Sequence, residues 1–387
     1  MGPPGCAEPM RVALVVHSDS PWAPFYARHL RDRGHTVVVI SFHPKSIPGI
    51  DVEYVGQRIA DGTLPKTIYL RRVPVVRRIL RRFRPDIVLA TYVRSNGLVA
   101  ALTKQSALVI STVGADHGWG VSRVLDRWFA RWVCGRAECL HAVSPELFES
   151  LVASGVEPSR ITIIPVGIDA RLFTPCATPR DPGPPRILGT RKHYPVYDNE
   201  TLVRALGLLH EEGFPFECRF AGKGPTLEAA RRLARDLGLS GQVRFLGEVE
   251  STDVPALLRW ADIYVSATLS DGAPSSLFEA MSCGVFPVVS DIRANRDWLV
   301  PDRTGILCRV GRPSDWARGI RSAWEDPERR KQAAPINRHL VETRCDMARG
   351  LVRMESLLRK ALRLYRGESL PSEEETAPPF GHVSAPS

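Results

Sequence analysis

The sequence contains no apolar run that approaches the roughly 18 residues needed for a membrane-spanning helix. Its eight cysteines are scattered without a CxxC pair, which favours reduced thiols over a disulfide framework or a zinc site. The opening stretch, MGPPGCAEPM, lacks the basic flank and apolar segment of a secretory signal. We therefore expect a cytoplasmic protein that does not cross a bilayer and that holds neither a metal ion nor another cofactor.

The composition excludes fibrous and disordered classes of protein. Of 387 residues, 44% are hydrophobic and 24% are charged, which is typical of a folded globular chain. The length allows two domains, each with its own core. A net charge of +10 suits an acidic partner, but charge alone does not choose between a nucleic acid, an anionic membrane and a phosphorylated substrate.

The positive charge is concentrated in one short segment, Arg71–Arg84, where seven arginines alternate with apolar residues. The roughly helical spacing predicts an amphipathic helix with one basic face. A solvated helix is the first interpretation, and peripheral docking to an anionic membrane on its inner face is the second. We do not expect nucleic-acid binding.

Short β-rich runs alternate with helical stretches along the whole chain. In the first half they begin at Val12, Thr36, Asp86, Ala107 and Ile161, and in the second half at Arg186, Glu217, Val243, Asp262, Val285 and Gly305. The proline-rich stretch 175–185 between the halves is typical of a linker. The pattern predicts two α/β, Rossmann-like domains, each built on a parallel sheet.

The segment SDGAPSSLFEAMSCG, Ser270 to Gly284, follows one of the predicted strands, where ligands bind in open α/β sheets. We expect Ser275 or Ser276 to cap a short helix that Gly284 ends. A helix N-terminus suits a diphosphate, and the flanking carboxylates of Asp271 and Glu279 could accept hydrogen bonds from diols. The alternative is that Asp271 is a turn residue and Glu279 a solvated helix position.

This segment resembles the E-x7-E motif of retaining glycosyltransferases of family 4, which have the two-domain GT-B fold. The stretch from His141 to Phe173, the AGKGP loop, VRFLGEV and VSDIRANRDWL extend the resemblance over most of the chain. It implies that Glu279 binds the ribose hydroxyls and that Asp271, in place of the usual Glu, contacts the donor sugar. The backbone of Gly272, Ala273, Pro274, Ser275 and Ser276 would face the sugar and the phosphates.

The resemblance also implies a cationic site for the diphosphate. Arg191 matches the family's Arg, but the position of the family's Lys falls near Val196 or Tyr197, so that role is absent or has moved to Lys192, His193 or Lys223. The glycine loop of Gly222, Lys223 and Gly224 would lie near the nucleobase, with a simple tight turn as the alternative.

The first half would then hold the acceptor site. In STVGADHGWG, Gly114 and Asp116 match an HGxD-like motif of the family, but Val113 stands in the His position and His117 follows four residues later. We assign Asp116 and His117 to the acceptor side. The implied partners are a UDP- or GDP-sugar donor and a glycan, glycolipid or small hydroxyl acceptor. An epimerase on the same fold and a non-catalytic basic binding protein are the alternatives.

The predicted organisation is therefore a disordered N-terminus over 1–9, an acceptor-side domain over 10–176 and a nucleotide-sugar-binding domain over 177–345. A terminal helix over 346–366 crosses back to the first domain in this fold, and a disordered tail follows over 367–387.

Overall fold

The computed structural model describes residues 8–20, 22–56, 67–113, 124–176 and 183–369. The predicted disordered ends, the middle of the predicted linker, Asp116 and His117 lie wholly or mostly outside these residues. The described chain forms two units: one joins the residues up to Pro165 to those from Arg349 onward, and the other runs over Val166–Ala348. The chain leaves the first unit at Pro165, before the proline-rich stretch, because the segment after it bonds within the second unit. For example, Ser282 Oγ donates to the Phe173 carbonyl oxygen at 2.7 Å.

The first unit contains a seven-stranded parallel sheet in the order β3-β2-β1-β4-β5-β6-β7. Its strands are β1 Arg11–Val15, β2 Thr36–Ser41, β3 Asp51–Tyr54, β4 Ile87–Thr91, β5 Ala107–Thr112, β6 Cys139–Ala142 and β7 Ile161–Ile163. Its first helices are α1 Ala23–Asp32, α2 Thr67–Phe83, α3 Leu98–Thr103, α4 Val124–Gly135 and α5 Pro145–Ala153. Every residue of β4 and β5 is buried, as expected for parallel strands that helices cover on both faces.

The second unit repeats the plan with a six-stranded parallel sheet in the order β10-β9-β8-β11-β12-β13. Its strands are β8 Arg186–Gly189, β9 Glu217–Ala221, β10 Val243–Gly247, β11 Ile263–Ser266, β12 Phe286–Ser290 and β13 Ile306–Cys308. Its helices are α6 Asn199–Glu211, α7 Leu227–Asp236, α8 Val254–Trp260, α9 Ser275–Ser282, α10 Arg293–Arg296, α11 Pro313–Glu325 and α12 Pro327–Arg344. The predicted fold of two parallel α/β domains is confirmed.

The last helix, α13 Met347–Arg366, packs in the first unit. Its apolar residues join the core formed around β1: Met354, Leu357, Leu358, Ala361 and Leu362. Between them the buried carboxylate of Glu355 accepts from Arg359 at 2.9 Å and from Arg33 at 3.2 Å, and it lies 3.3 Å from Nε2 of His35. An apolar stripe and one buried carboxylate thus fix this helix to residues of α1 and the turn after it.

The arginine-rich segment forms α2, as its spacing predicts. Val76, Ile79 and Leu80 are buried, whereas the arginines at 77, 78, 81 and 82 are exposed. No helix within the described ranges has the length and apolarity that crossing a bilayer would require. The basic face of α2 therefore remains turned to solvent in the first unit.

Candidate active site

The candidate site lies at the carboxyl ends of β8 and β11, neighbouring strands from which the chain proceeds in opposite directions across the sheet. Ile187 of β8 pairs with Ile263 of β11. A reversal of strand order opens a crevice beyond the strand ends, which is the usual ligand position in open α/β sheets. Arg191 follows β8, and the loop that leads into α9 follows β11, so both reach this crevice.

The start of α9 differs from the sequence prediction. Pro274 occupies the N-cap and makes no side-chain capping hydrogen bond. The predicted serine cap is wrong, because Ser275 is already the first helical residue and the Ser276 hydroxyl is bonded to side chains outside the helix. The helix ends at Ser282, and Gly284 follows with a φ of 71°, which is the predicted glycine termination.

The loop before α9 offers fewer N–H groups than the five residues 272–276 suggest. Pro274 has none, and Ser275 donates to the Ala273 carbonyl oxygen at 2.9 Å. The Ala273 N–H donates at 3.2 Å to the carboxylate two residues before it. Within the described chain, Gly272 and Ser276 are the members of this loop whose N–H groups have no acceptor. These two can bind an anion.

Arg191 is the centre of the site. Its Nη2 donates to Oδ2 of Asp271 at 2.8 Å, and its Nη1 donates to Oγ of Ser276 at 3.2 Å. Oγ of Ser276 also accepts from the buried hydroxyl of Tyr264 at 2.7 Å. The Tyr197 ring lies under the guanidinium, 4.3 Å from Cζ to the ring centroid. The guanidinium is held on three sides.

The surroundings set two unusual protonation equilibria. Burial is the largest single influence and opposes the charge on Arg191. The nearby Asp271, Tyr264, Tyr197 and Glu279 together outweigh it, so the pKa of Arg191 is raised and the cation is permanent. Burial raises the pKa of Glu279 to about 7, and the nearby Arg191 works against that rise. Glu279 therefore exchanges its proton near neutral pH, a property often found in functional sites.

The two candidate lysines lie on the surface. Lys192 is exposed, and Nζ of Lys223 pairs with Oε2 of Glu248 at 2.5 Å, both side chains being mostly exposed. Among the described residues, neither lysine side chain forms an ion pair with Asp271, whose cationic partner is Arg191. Tyr197, near the position of the family's Lys, supplies an aromatic face to Arg191 instead of a charge.

The glycine loop packs against the chain that follows β8. A Cβ on Gly224 would lie 2.1 Å from the His193 carbonyl oxygen, and one on Gly222 would lie 2.9 Å from the Arg191 carbonyl oxygen. Both glycines also have positive φ angles. The His193 N–H donates to the Lys223 carbonyl oxygen at 3.0 Å. Close backbone approach thus explains both glycines, and their contact with a nucleobase stays a prediction.

Sequence reasoning missed Tyr264 and the contact of Tyr197 with Arg191. Tyr264 is fully buried in β11, and the signal for it was a phenol between the apolar residues Ile263 and Val265. A buried phenol needs a hydrogen-bond partner, which here is Ser276. Only the fold reveals which partner that is.

Of the predicted acceptor-side stretch over 113–117, the structure describes one residue, Val113. Val113 is buried at the end of β5, while Asp116 and His117 lie outside the described residues. Within the ranges that the structure describes, no three His, Cys, Asp or Glu side chains are grouped to hold a metal ion. The seven cysteines in these ranges form no disulfide bonds.

Comparison with known families gives two matches that divide the chain as the sheets do. The model described as Glycosyl transferases group 1 matches residues 178–339, and the model described as Glycosyltransferase Family 4 matches residues 25–172. Among curated relatives, a phosphatidylinositol N-acetylglucosaminyltransferase subunit from Arabidopsis thaliana is 24% identical over 362 residues, covering 82% of this chain and 75% of that protein. D-inositol 3-phosphate glycosyltransferase of Pseudarthrobacter chlorophenolicus is 26% identical over 211 residues. This match covers 52% of this chain and 50% of that relative's length.

Solved structures share the fold over nearly the whole chain. A glycosyltransferase from Rickettsia africae has a TM-score of 0.78 at 16% identity and covers 92% of this chain and 100% of its own. Anabaena Alr3699/HepE in complex with UDP has a TM-score of 0.74 at 17% identity and covers 90% of this chain and 100% of its own.

The two parallel α/β units have the GT-B fold, which these structures share. The chain belongs to the glycosyl transferases group 1 and is an enzyme of that transferase class.

Proposed function

We propose that this glycosyltransferase moves a sugar from a UDP- or GDP-sugar to a hydroxyl group of a glycan, glycolipid or small molecule, with retention of anomeric configuration. The observation that carries the proposal is the convergence of Arg191 and Ser276 with the start of α9 in the crevice of the second unit. A fixed cation, a helix N-terminus and oriented donors are what a nucleoside diphosphate requires.

Ser276 supplies a directed hydroxyl proton. A guanidinium can only donate, so Oγ of Ser276 accepts from Arg191, and it accepts again from Tyr264. Both of its acceptor positions are therefore filled. Its own proton must point in a third direction, which makes Ser276 a donor to a bound phosphate or sugar oxygen.

The two carboxylates receive different roles. Glu279, one helical turn after Ser276 on the same face of α9, accepts hydrogen bonds from the ribose hydroxyls. Its ionised form accepts them better, so nucleotide binding would draw its pKa below about 7. Asp271, bonded to Arg191, contacts the donor sugar and is one methylene shorter than the Glu of the family motif.

In the reaction, the bond from the donor's anomeric carbon to the diphosphate oxygen breaks while the acceptor oxygen bonds to the same face of that carbon. The acceptor proton goes to the departing phosphate oxygen. Arg191, Ser276 and the α9 N-terminus stabilise the negative charge that develops on the leaving group. This route uses no protein nucleophile, and the proposal assigns no metal ion.

We further propose that the enzyme works in the cytoplasm, in polysaccharide or glycolipid synthesis, and that α2 makes peripheral contact with an anionic membrane. The exposed arginines at 78 and 81 and the exposed Leu70 of the same helix, at 54% exposure, support this. Arg77 donates to the Leu102 carbonyl oxygen at 2.9 Å, and Arg82 pairs with Glu53, so part of the basic face is also structural.

The test is release of nucleoside diphosphate from a panel of UDP- and GDP-sugars, with and without saccharide and glycolipid acceptors. Transfer predicts release that requires an acceptor. A changed sugar nucleotide without any acceptor would indicate an epimerase. Binding without release under every condition would indicate a non-catalytic protein and would refute the proposal.

A further inference from the structure

Four partly buried rings meet at the switch point of the first unit, where β1 and β4 lie side by side. His17 follows β1, His43 follows β2, Tyr92 follows β4, and Tyr69 lies in the first turns of α2. From the His17 ring the centroid distances are 4.7 Å to His43, 5.7 Å to Tyr92 and 6.4 Å to Tyr69. We call these residues and Asp19 the ring cluster. None of them belongs to the site in the second unit.

The backbone of the ring cluster is strained. Tyr92 has a φ of 67°, in the left-handed region that a bulky residue rarely adopts, and it opens a π-helical turn over residues 92–97. Such strain persists where the surrounding structure enforces it, and it is common at ligand sites. Here it turns the chain at the end of β4 so that the Tyr92 ring lies beside His17.

The ring cluster also contains an unsatisfied polar atom. Nδ1 of His17 is buried and has no hydrogen-bond partner within the described chain. Next to it, Nδ1 of His43 lies 3.4 Å from Oδ2 of Asp19, whose side chain is half exposed at 49%. The ring cluster thus brings together one imidazole nitrogen without a described partner, one half-exposed carboxylate and four rings.

The charges of the ring cluster favour a neutral ligand over an anionic one. Burial and the neighbouring His43 lower the pKa of His17 to about 4, and Asp19 only partly opposes this, so His17 is neutral at physiological pH. Among the described residues, the negative charge of Asp19 acts on both His17 and Tyr69. This charge favours a neutral ligand over a phosphate or diphosphate.

We infer that the ring cluster is a binding site for a neutral sugar ring. Apolar sugar faces stack on aromatic rings, and vicinal hydroxyl groups bond to a carboxylate and an imidazole, which is the set of groups present here. This inference rests on the proposed function: in a glycosyltransferase, a saccharide bound in the unit that lacks the donor site is the acceptor. The acceptor is then a glycan end rather than a phosphorylated alcohol.

The experiment uses the full chain and saturation-transfer NMR with methyl α-D-glucopyranoside, methyl α-D-mannopyranoside and methyl α-D-galactopyranoside. Tyr69→Leu removes a ring, Tyr69→Phe keeps it, and Asp19→Asn keeps the size of an exposed side chain. Tyr365→Leu, an exposed ring on α13 at 46% exposure, is the matched control. Thermal melting checks the fold of each variant.

At least one pyranoside should bind, with an affinity about tenfold weaker in Tyr69→Leu and in Asp19→Asn, and unchanged in Tyr69→Phe and the control. If Tyr69→Leu does not fold, the pyranoside affinity of Asp19→Asn tests the inference by itself. Equal binding by all variants, no pyranoside binding, or displacement of the pyranoside by inorganic phosphate would overturn the inference. UDP binding, titrated separately in the same samples, reports the donor site, so its failure would count against the proposed function and not against the ring cluster.

Discussion

Arg191 and Asp271 form an ion pair of 2.8 Å whose side chains are only 13% and 14% exposed. If the site binds a diphosphate as proposed, the Asp271 carboxylate already occupies one of the donor positions of Arg191 before the nucleotide sugar arrives. Removing a partner from a buried pair leaves the other charge uncompensated, whereas an incoming anion can replace it. Under the proposed function, donor binding rearranges this pair.

The ion pair gives the first prediction. Asp271→Ala should abolish sugar transfer, because the contact to the donor sugar is lost, yet it should bind UDP as tightly as the unchanged protein or more tightly, because Arg191 is released. Transfer assays and calorimetric titration of UDP check the two halves. A variant that loses UDP binding and much of its melting temperature together would show that Asp271 is a structural turn residue.

Glu279 gives a prediction about pH. Its folded pKa of about 7 is above the ordinary value of 4.5, so the ionised form is disfavoured in the folded state and stability falls as pH rises between those values. Above pH 7, the raised pKa of Glu279 lowers the free energy of unfolding by at most about 3 kcal/mol. Glu279→Gln cannot ionise, so it should unfold at a higher denaturant concentration than the unchanged protein at pH 8 but not at pH 4.5.

The same variant should transfer sugar poorly, because an amide binds the ribose diol less well than a carboxylate. Urea titrations at the two pH values and a transfer assay check both statements. Equal stability differences at pH 4.5 and pH 8 would contradict the raised pKa.

Tyr264 is predicted to act through Ser276. Tyr264→Phe removes the buried hydroxyl that donates to Ser276 Oγ. We expect a loss of about 1 kcal/mol in stability and a KM for the donor that rises more than kcat falls, because Ser276 would no longer be fixed as a donor. Ser276→Ala should give the same kinetic change, and the double variant should add little to it. If the kinetic effects of the two single changes add in the double variant, Tyr264 does not act through Ser276.

Glu355 is predicted to fix α13 to the rest of its unit. Glu355→Gln keeps the size but removes the charge that Arg33 and Arg359 share, so unfolding free energy should fall by about 2 to 4 kcal/mol at pH 7. Burial raises the pKa of Glu355, but the contacts with its cationic partners outweigh burial and lower the pKa overall. The stabilisation that Glu355 gives the folded state is therefore present above the usual glutamate pKa and is lost as the pH falls through the lowered pKa. Glu200→Gln, an exposed i,i+4 partner of Arg204, is the control and should change stability little.

Much of the fold and half of the candidate site could be predicted because their signals are local. Parallel strands are continuous apolar runs, and Asp271, Ser276 and Glu279 lie within nine residues of one another on a loop and the helix it enters. The hydrogen bond between Arg191 and Asp271 joins residues that are 80 positions apart in the sequence, so it depends on which strands become neighbours. The serine cap failed for the same reason, since Ser276 bonds to Arg191 and Tyr264 instead of to its own helix.

The ring cluster could not be predicted at all. It draws His17, His43, Tyr69 and Tyr92 from four separate elements, and each residue alone is unexceptional in the sequence. Only the strand order, which places β1 between β2 and β4, brings them together.

The proposed function depends above all on Arg191 holding the diphosphate of a nucleotide sugar. Calorimetric titration of UDP and GDP into the unchanged protein, Arg191→Gln and Arg204→Gln tests this, the last being a surface arginine of the same unit at 51% exposure. We expect one nucleotide to bind the unchanged protein and Arg204→Gln equally, and Arg191→Gln roughly ten- to a hundredfold more weakly. Equal affinity of all three proteins for that nucleotide would contradict the assignment of Arg191 to the diphosphate.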